Sequence, residues 1–316
     1  MKISVVITNY NRKDELANVI GTTLAQDFSG FEVIVVDNNS NDGSAQMVAE
    51  KFPEVRLLAE KVNLGAVARN KGFEVARGKY IVSLDNDVYF RTQNELAKLC
   101  RIFEDLPNVA CINFRIFSPP GDEPDLTNWC HPRDVTEYFD RTFETDYISE
   151  GACAFRKSAL DQVGLYYYPY FMGHEGDDMA VRLIDAGYNI IYTPEVNVYH
   201  NHSRLIRPGW RTYYYHTRNS IWFYFKNFRP FFAVRYVVWY LVVHFLFAAK
   251  NRGLKAYFEG VKDGFKGLRQ IYKIRHPISF RTEMRIKELR KYKPSIYHRV
   301  LRHLKYDLFQ DSLRIR

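Results

Sequence analysis

Asn63-Leu64-Gly65-Ala66-Val67-Ala68-Arg69-Asn70-Lys71-Gly72-Phe73-Glu74-Val75-Ala76-Arg77-Gly78-Lys79-Tyr80-Ile81-Val82-Ser83-Leu84-Asp85-Asn86-Asp87 is the stretch that decides the fold. Residues 66–76 read as a helix and 80–84 as a short buried strand, with two carboxylates just beyond it. The same alternation runs outward on both sides. Residues 3–8, 31–36, 55–59 and 109–113 read as strands, and 14–25, 44–51 and 93–104 as helices between them. Strands separated by helical patterns imply βαβ units, hence an α/β domain with a mostly parallel sheet covered on both faces. Right-handed crossovers bring the carboxyl ends of the strands to one edge, where such sheets bind ligands.

Polar residues collect at that edge. Thr8-Asn9-Tyr10-Asn11 follows the first strand, Asp37-Asn38-Asn39-Ser40 the second and Asp85-Asn86-Asp87 the fourth. One such run is an ordinary capped turn. Three on one edge point to a polar ligand site. Asp85 and Asp87 suit a hard divalent cation, Mn²⁺ or Mg²⁺, which takes one or two protein oxygens plus substrate phosphates. Such an ion neutralises a diphosphate leaving group. Further along, 114–150 reads as a long loop region with short elements, 158–163 and 178–186 as helices, and 189–192 as a strand.

An isolated Asp-x-Asp is a weak motif, but its surroundings are specific. Asn63-x-Gly65, Arg69-Asn70-x-Gly72 and the strand ending in Asp85-x-Asp87 resemble, in order and spacing, the family 2 glycosyltransferases. Those are inverting enzymes of the GT-A fold, among them rhamnosyltransferase-like enzymes of bacterial cell-surface polysaccharide. Thr8-Asn9-Tyr10-Asn11-Arg12 and Val35-Val36-Asp37-Asn38-Asn39-Ser40 resemble the family's nucleotide-binding segments, and Gly151-Ala152-Cys153-Ala154-Phe155-Arg156 its acceptor-side loop. His174-Glu175-Gly176-Asp177-Asp178 with Arg182, and Tyr192-Thr193-Pro194-Glu195 with His200, resemble its acidic catalytic segment and metal-binding histidine.

The resemblance implies donor binding by Thr8, Asn9, Tyr10, Arg12, Asp37, Asn39, Asn63, Gly65, Arg69, Asp85 and Asn86, with Asp37 on the base and Arg69 on the ribose or phosphate side. It implies a cation held by Asp85, Asp87 and His200, whereas His202 and His174 lack that support. Glu175 and Asp178 match the family's first and last acids, and the acid between them, commonly credited as the general base, is Gly176 here. Asp178 lies four residues before Arg182, so a structural ion pair is expected of it. Glu175, placed just before the helix, is favoured as the base over Asp177. The implied donor is a UDP- or dTDP-sugar, and the implied acceptor a lipid-linked or oligosaccharide hydroxyl.

The rest of the chain differs in character. Residues 1–202 hold 19 Lys/Arg against 30 Asp/Glu, whereas 203–316 hold 26 against 6. A GT-A domain over 1–203 and a basic, aromatic-rich helical region over 204–316 are therefore expected. Residues 231–249 are the most apolar run and as a helix would extend about 28 Å, against about 30 Å of bilayer hydrocarbon. Arg235 and His244 interrupt it, which favours a helix lying in the membrane interface; a core helix or a homodimer contact is the competing reading. Lys250, Arg252, Lys255, Arg281, Arg285, Lys287, Arg290, Lys291 and Lys293 add charge suited to an anionic membrane surface. No nucleic-acid module is recognisable, so nucleic acid is not the expected partner.

Four cysteines without a CxxC pair, and an opening strand in place of a secretory leader, point to a cytoplasmic setting on the inner face of the membrane. A sugar nucleotidyltransferase would need a glycine-rich loop after the first strand, and Thr8–Arg12 has no glycine. A catalytically weak sugar-nucleotide-binding or scaffolding protein of a glycan assembly complex is the alternative that Gly176 keeps open.

Overall fold

The computed structural model describes residues 1–202 and 209–292. Ser203, at the composition boundary, and Lys293, in the basic cluster, lie outside them. The first half runs β1 (Ile3–Asn9), α1 (Lys13–Leu24), β2 (Phe31–Asp37), α2 (Ser44–Lys51), β3 (Arg56–Ala59), α3 (Arg69–Val75), β4 (Tyr80–Asp85), β5 (Val88–Phe90), α4 (Glu95–Asp105) and β6 (Val109–Ser118). Then come β7 (Glu123–Pro124), α5 (Val135–Tyr138), β8 (Phe143–Glu144), β9 (Ala152–Arg156), α6 (Lys157–Val163), α7 (Glu175–Asp185) and β10 (Asn189–His200). Four helices close the described chain: α8 (Trp210–Asn227), α9 (Pro230–Lys250), α10 (Leu254–Lys273) and α11 (Phe280–Leu289).

The sheet order is β3-β2-β1-β4-β9-β6-β10-β5. β3, β2, β1 and β4 are parallel, as are β6 and β10. β9 enters between β4 and β6 antiparallel to both, so the sheet is mixed in its second half. Period-two alternation explains its two covered faces. Val5, Ile7, Val33 and Val35 pack with α1, α2 and α4, whereas Val6, Ile34 and Val36 pack on the side of α3, α6 and α7.

Three boundaries near the site differ from the sequence expectation. The helix expected from residue 66 opens as a 3-10 turn, Gly65–Ala68. α7 starts at Glu175 rather than 178, because Glu175, Asp177 and Asp178 all favour the positive end of a helix dipole. Glu175 is therefore the first helical residue, not one preceding the helix. The strand expected over 189–192 continues to His200, its register broken between Tyr192 and Asn197, where Pro194 has no N–H to donate.

The change of composition near residue 203 is not a change of core. Ile221, Phe223 and Tyr224 of α8 are buried in one cluster with Val6 and Ile34. Each such side chain contributes about 1.5–3 kcal/mol on burial. α10 lies close on α8 along a glycine face. A Cβ at Gly260 would lie 2.6 Å from the Tyr214 carbonyl oxygen, and one at Gly264 would lie 2.4 Å from Ile221 Cδ1. At Gly267 it would lie 2.6 Å from the Trp222 ring. α9 is different: of its 21 residues only Ala233, Val237 and Ala248 are buried. Phe231, Val234, Val238, Trp239, Val242, Leu246 and Phe247 are exposed, Phe231 by 74%. A core helix does not look like this.

Candidate active site

Parallel register sets the polar edge. Asn9 stands beside Asp37, and Thr8 beside Asp85. Asn9 Nδ2 donates to Asp37 Oδ1 at 2.9 Å, and Asn86 Nδ2 to Asn9 Oδ1 at 2.7 Å. Asp37 Oδ2 also accepts the Ser40 N–H at 3.0 Å. The Asp37 carboxylate is thus buried and spent on the edge itself, and Asn39 turns outward to solvent. Asn38 takes their place on the groove wall. Its amide accepts the Leu64 N–H at 2.7 Å and donates to Asn63 and to the Gly65 carbonyl.

Gly65 joins the donor side to the segment before α7. Its φ is +73°, and an added Cβ would lie 2.1 Å from the Phe171 carbonyl oxygen. That carbonyl accepts the Ala66 N–H at 2.7 Å. Only glycine fits both the left-handed backbone and the close approach.

Arg69 sits at the base of the groove, buried, its Nη2 2.9 Å from Asp85 Oδ1. Burial opposes its charge, but Asp85 and the nearby Glu150 and Glu175 hold it protonated. Among the described residues, Arg69 Nε and Nη1, Thr8 Oγ1 and Glu175 Oε2 are buried without a hydrogen-bond partner. Buried polar groups are nearly always satisfied, by ordered water or a bound group where the protein offers no partner.

The acids of α7 have separate fates. Asp178, fully buried, accepts from Arg182 Nε at 3.0 Å, Lys226 Nζ at 2.6 Å and Asn227 Nδ2 at 2.7 Å. It fastens α7 to α8. Asp177 bonds His174 Nδ1 at 2.8 Å. Glu175 is 2% exposed and meets Glu150 at the groove. Burial pushes the Glu175 carboxyl above the usual range, a push that its helix-start N–H and Arg69 only partly offset.

The expected cation trio is rearranged. Asp85 turns to Arg69, and Asp87 forms an ion pair with Arg12, so Arg12 is engaged by a carboxylate. Asp87 Oδ1 still lies 3.6 Å from His200 Nε2. The tighter cluster is Asp125, His200 and His202, with ligand atoms within 4.8 Å of one another. Asp125 Oδ2 is 2.8 Å from His200 Nδ1 and 3.1 Å from His202 Nε2. Burial argues against charge on His200, yet Asp125 and Asp87 outweigh it and push the imidazole up to about 9. A carboxylate and two imidazoles converging this way fit a divalent cation that accepts nitrogen as well as oxygen.

Thr8, Asn9, Tyr10, Arg12, Asn63, Gly65, Arg69, Asp85, Asn86, Glu150 and Glu175 line one groove of about 690 Å³. That is the size of a small-molecule site. Asn128, which donates to Asp125 and lies 2.8 Å from His200 Nδ1, links the groove to the cation cluster. Sequence reasoning missed Asp125, Asn128 and Glu150, and also Arg211 and His216 of α8 at the rim. Trp129 and His131, by contrast, are buried core, with burial drawing His131 down to about 3.

Comparison with known proteins bears on the family and the fold. The sequence profile of glycosyl transferase family 2 matches residues 4–164, half of the chain. An uncharacterised glycosyltransferase, YibD, of Escherichia coli K12 is 36% identical over 115 residues, 35% of this chain and 33% of that one. The E. coli UDP-Glc:alpha-D-GlcNAc-diphosphoundecaprenol beta-1,3-glucosyltransferase WfaP is 32% identical over 93 residues, 28% of this chain and 37% of that one. The matched stretch thus spans about a third of these relatives.

Among solved structures, S. aureus TarS 1-349 with UDP-GlcNAc superposes with a TM-score of 0.59 at 15% identity, covering 87% of this chain and 84% of that one. The Pyrobaculum calidifontis mannosyltransferase PcManGT, with GDP-Man and Mn2+, gives 0.55 at 18% identity, over 86% of each. At such identities the likeness shows a shared fold, GT-A. The chain belongs to glycosyltransferase family 2.

Proposed function

We propose that this chain transfers a sugar, with inversion, from a nucleoside-diphosphate donor to a hydroxyl of a lipid-linked or cell-envelope glycan. The observation that carries this reading is the set of unpartnered buried atoms on Arg69, Thr8 and Glu175 around one groove beside a cation-type cluster. Thr8, Tyr10 and Asn38 take the nucleoside, and Arg69 the diphosphate side. Asp125, His200 and His202, with Asp87 nearby, would hold Mn²⁺, which when bound supplies Lewis-acid stabilisation of the leaving diphosphate. A UDP-sugar is favoured because WfaP by name uses UDP-Glc and TarS binds UDP-GlcNAc. The test is release of nucleoside diphosphate from a panel of UDP-, dTDP- and GDP-sugars with Mn²⁺ and an oligosaccharide or polyprenyl-linked acceptor. Release from UDP-sugars is expected, and none from any donor would end the reading.

The protein works at the inner face of the membrane, held there by α9. α9 would extend about 31 Å, with a mean hydropathy of 1.8 over its most apolar 18 residues, of which 17% are buried. Lys250, Arg252 and Lys255 at its end are exposed. Of the later cluster, Arg285 and Arg290 are turned inward as ion pairs with Glu144 and Asp146, leaving Arg281, Lys287 and Lys291 exposed. Each exposed basic residue near an anionic leaflet adds about 1 kcal/mol. The protein is expected to sediment with vesicles rich in phosphatidylglycerol, less so at high salt. Replacing Val238, Trp239, Val242 and Leu246 by glutamine, all exposed, should release it without unfolding. Concentration-dependent dimerisation lost in the same variant, with no vesicle binding by the parent, would assign the face to a second copy instead.

A further inference from the structure

Position 176 has no side chain, and the structure shows what fills the gap. A Cβ on Gly176 would lie 2.3 Å from Glu150 Oε1, 3.0 Å from its Cδ and 3.1 Å from its Cγ. The Glu150 carboxyl therefore occupies the space that an acid at 176 would enter, although it arrives from the loop before β9. Its backbone carbonyl accepts the Ser83 hydroxyl at 2.6 Å, which fixes that loop to β4 just before Asp85. The neighbouring Gly151 packs on Asp85, with room for no Cβ: one would lie 2.3 Å from Asp85 Oδ2. Glu150 keeps part of its surface open to the groove while its surroundings are densely packed.

We propose that Glu150 supplies the carboxylate that position 176 lacks, and that Glu150 and Glu175 act as a proton-accepting pair beside Arg69. The proposal rests on the glycosyl-transfer reading and names the base within it. Two facing carboxyls do not both ionise readily, so the pair holds one proton and one negative charge near neutral pH. Burial, and then the charge of Glu175, push Glu150 well above the usual carboxylate range. A buried pair sharing one charge is a better base at neutral pH than an ordinary carboxylate.

In the transfer step the acceptor O–H bond breaks and that oxygen's electron pair forms the bond to the anomeric carbon. The bond from that carbon to the diphosphate oxygen breaks, and its electrons leave with the nucleoside diphosphate. The proton passes to the pair, which then holds two and returns one to solvent.

The experiment uses the full chain with a donor it turns over, and compares Glu150→Gln, Glu150→Gly, and Glu150→Gly combined with Gly176→Asp. Each is read by turnover, donor KM, pH profile and UDP binding. Glu150→Gln should lower kcat by about 10²–10⁴-fold with UDP affinity nearly unchanged. Its acidic limb of kcat/KM should move to higher pH, because the Glu150 carboxyl's hydrogen bond, which holds Glu175 down, gives way to a weaker amide one. A role confined to packing would not move that limb.

The double variant should recover about tenfold or more over Glu150→Gly alone, a base of this kind having at least that much to restore. Should Glu150→Gln lose UDP binding through misfolding, the double variant decides alone. Near-normal turnover and an unmoved limb in Glu150→Gln, or a double variant no better than Glu150→Gly, overturns the proposal. A wild type that binds UDP but uses no donor overturns the glycosyl-transfer reading, and this proposal with it.

Discussion

Full-length protein carrying His200→Ala is expected to lose Mn²⁺ affinity by about 10²-fold or more, since even losing an outer-shell partner of a metal ligand costs ~10–100-fold. The expectation follows from the convergence of Asp125, His200 and His202. His200 stands between Asp125 at 2.8 Å and Asp87 at 3.6 Å, so its loss opens the centre of the cluster. Calorimetric titration of Mn²⁺ with and without UDP measures this, and chelation by EDTA should abolish transfer in the parent. Two imidazoles favour Mn²⁺ over the harder Mg²⁺, so Mg²⁺ should restore less activity. Asp125→Asn separates the two possible ligand sets. If it leaves Mn²⁺ affinity intact while Asp87→Asn removes it, the cation belongs to the Asp87 side. Unchanged affinity in His200→Ala would remove this cluster from consideration.

Asp178→Ala is expected to destabilise the protein by about 3–5 kcal/mol, the range for breaking a buried ion pair from one side. The carboxylate is fully buried and pairs with Arg182, Lys226 and Asn227. Its removal leaves the Lys226 ammonium buried without a counter-charge. The two partners respond differently to pairing. Burial raises Asp178, but Arg182 and then Lys226 outweigh it and hold the carboxyl below its ordinary value. Lys226 is drawn below its ordinary value by burial despite Asp178. Asp178, the more fully partnered of the two, is therefore the better guide to pH dependence. A depressed carboxylate contributes stability that is present above its unfolded value and lost as pH falls through the folded one. The acid limb of stability, below about pH 4, should flatten in Asp178→Asn. Denaturant melts across pH test both points, and a loss under about 1 kcal/mol would show that the network adds little.

The first four strands and their helices were legible because each is a local pattern: a β-branched run, a turn, an amphipathic stretch. β9 was not, because its antiparallel entry depends on the long 114–150 connection, whose residues carry no period. Arg69, Asp85 and Glu175 were legible as site candidates through motif spacing. Asp37 is less legible for a physical reason: an Asp that closes a tight turn onto the Ser40 N–H looks the same in sequence as one offered to a ligand. Asp125 stands 75 residues from the histidine it meets, with nothing periodic between them. Glu150 had one faint signal, the missing acid at Gly176, which says that something else fills the place but not what.

The glycine face between α8 and α10 has a consequence for descent. Gly260, Gly264 and Gly267 leave no space for a methyl group against Tyr214, Ile221 and Trp222. The two helices are coupled: a side chain at Gly264 or Gly267 needs Ile221 or Trp222 to give way, and at Gly260 the obstacle is the Tyr214 carbonyl, which no substitution removes. Because α8 also carries Lys226 and Asn227 beneath α7, a chimera that took only α10 from a relative would be mismatched at that seam. The helices would have to be inherited as a pair, together with the acidic helix they support.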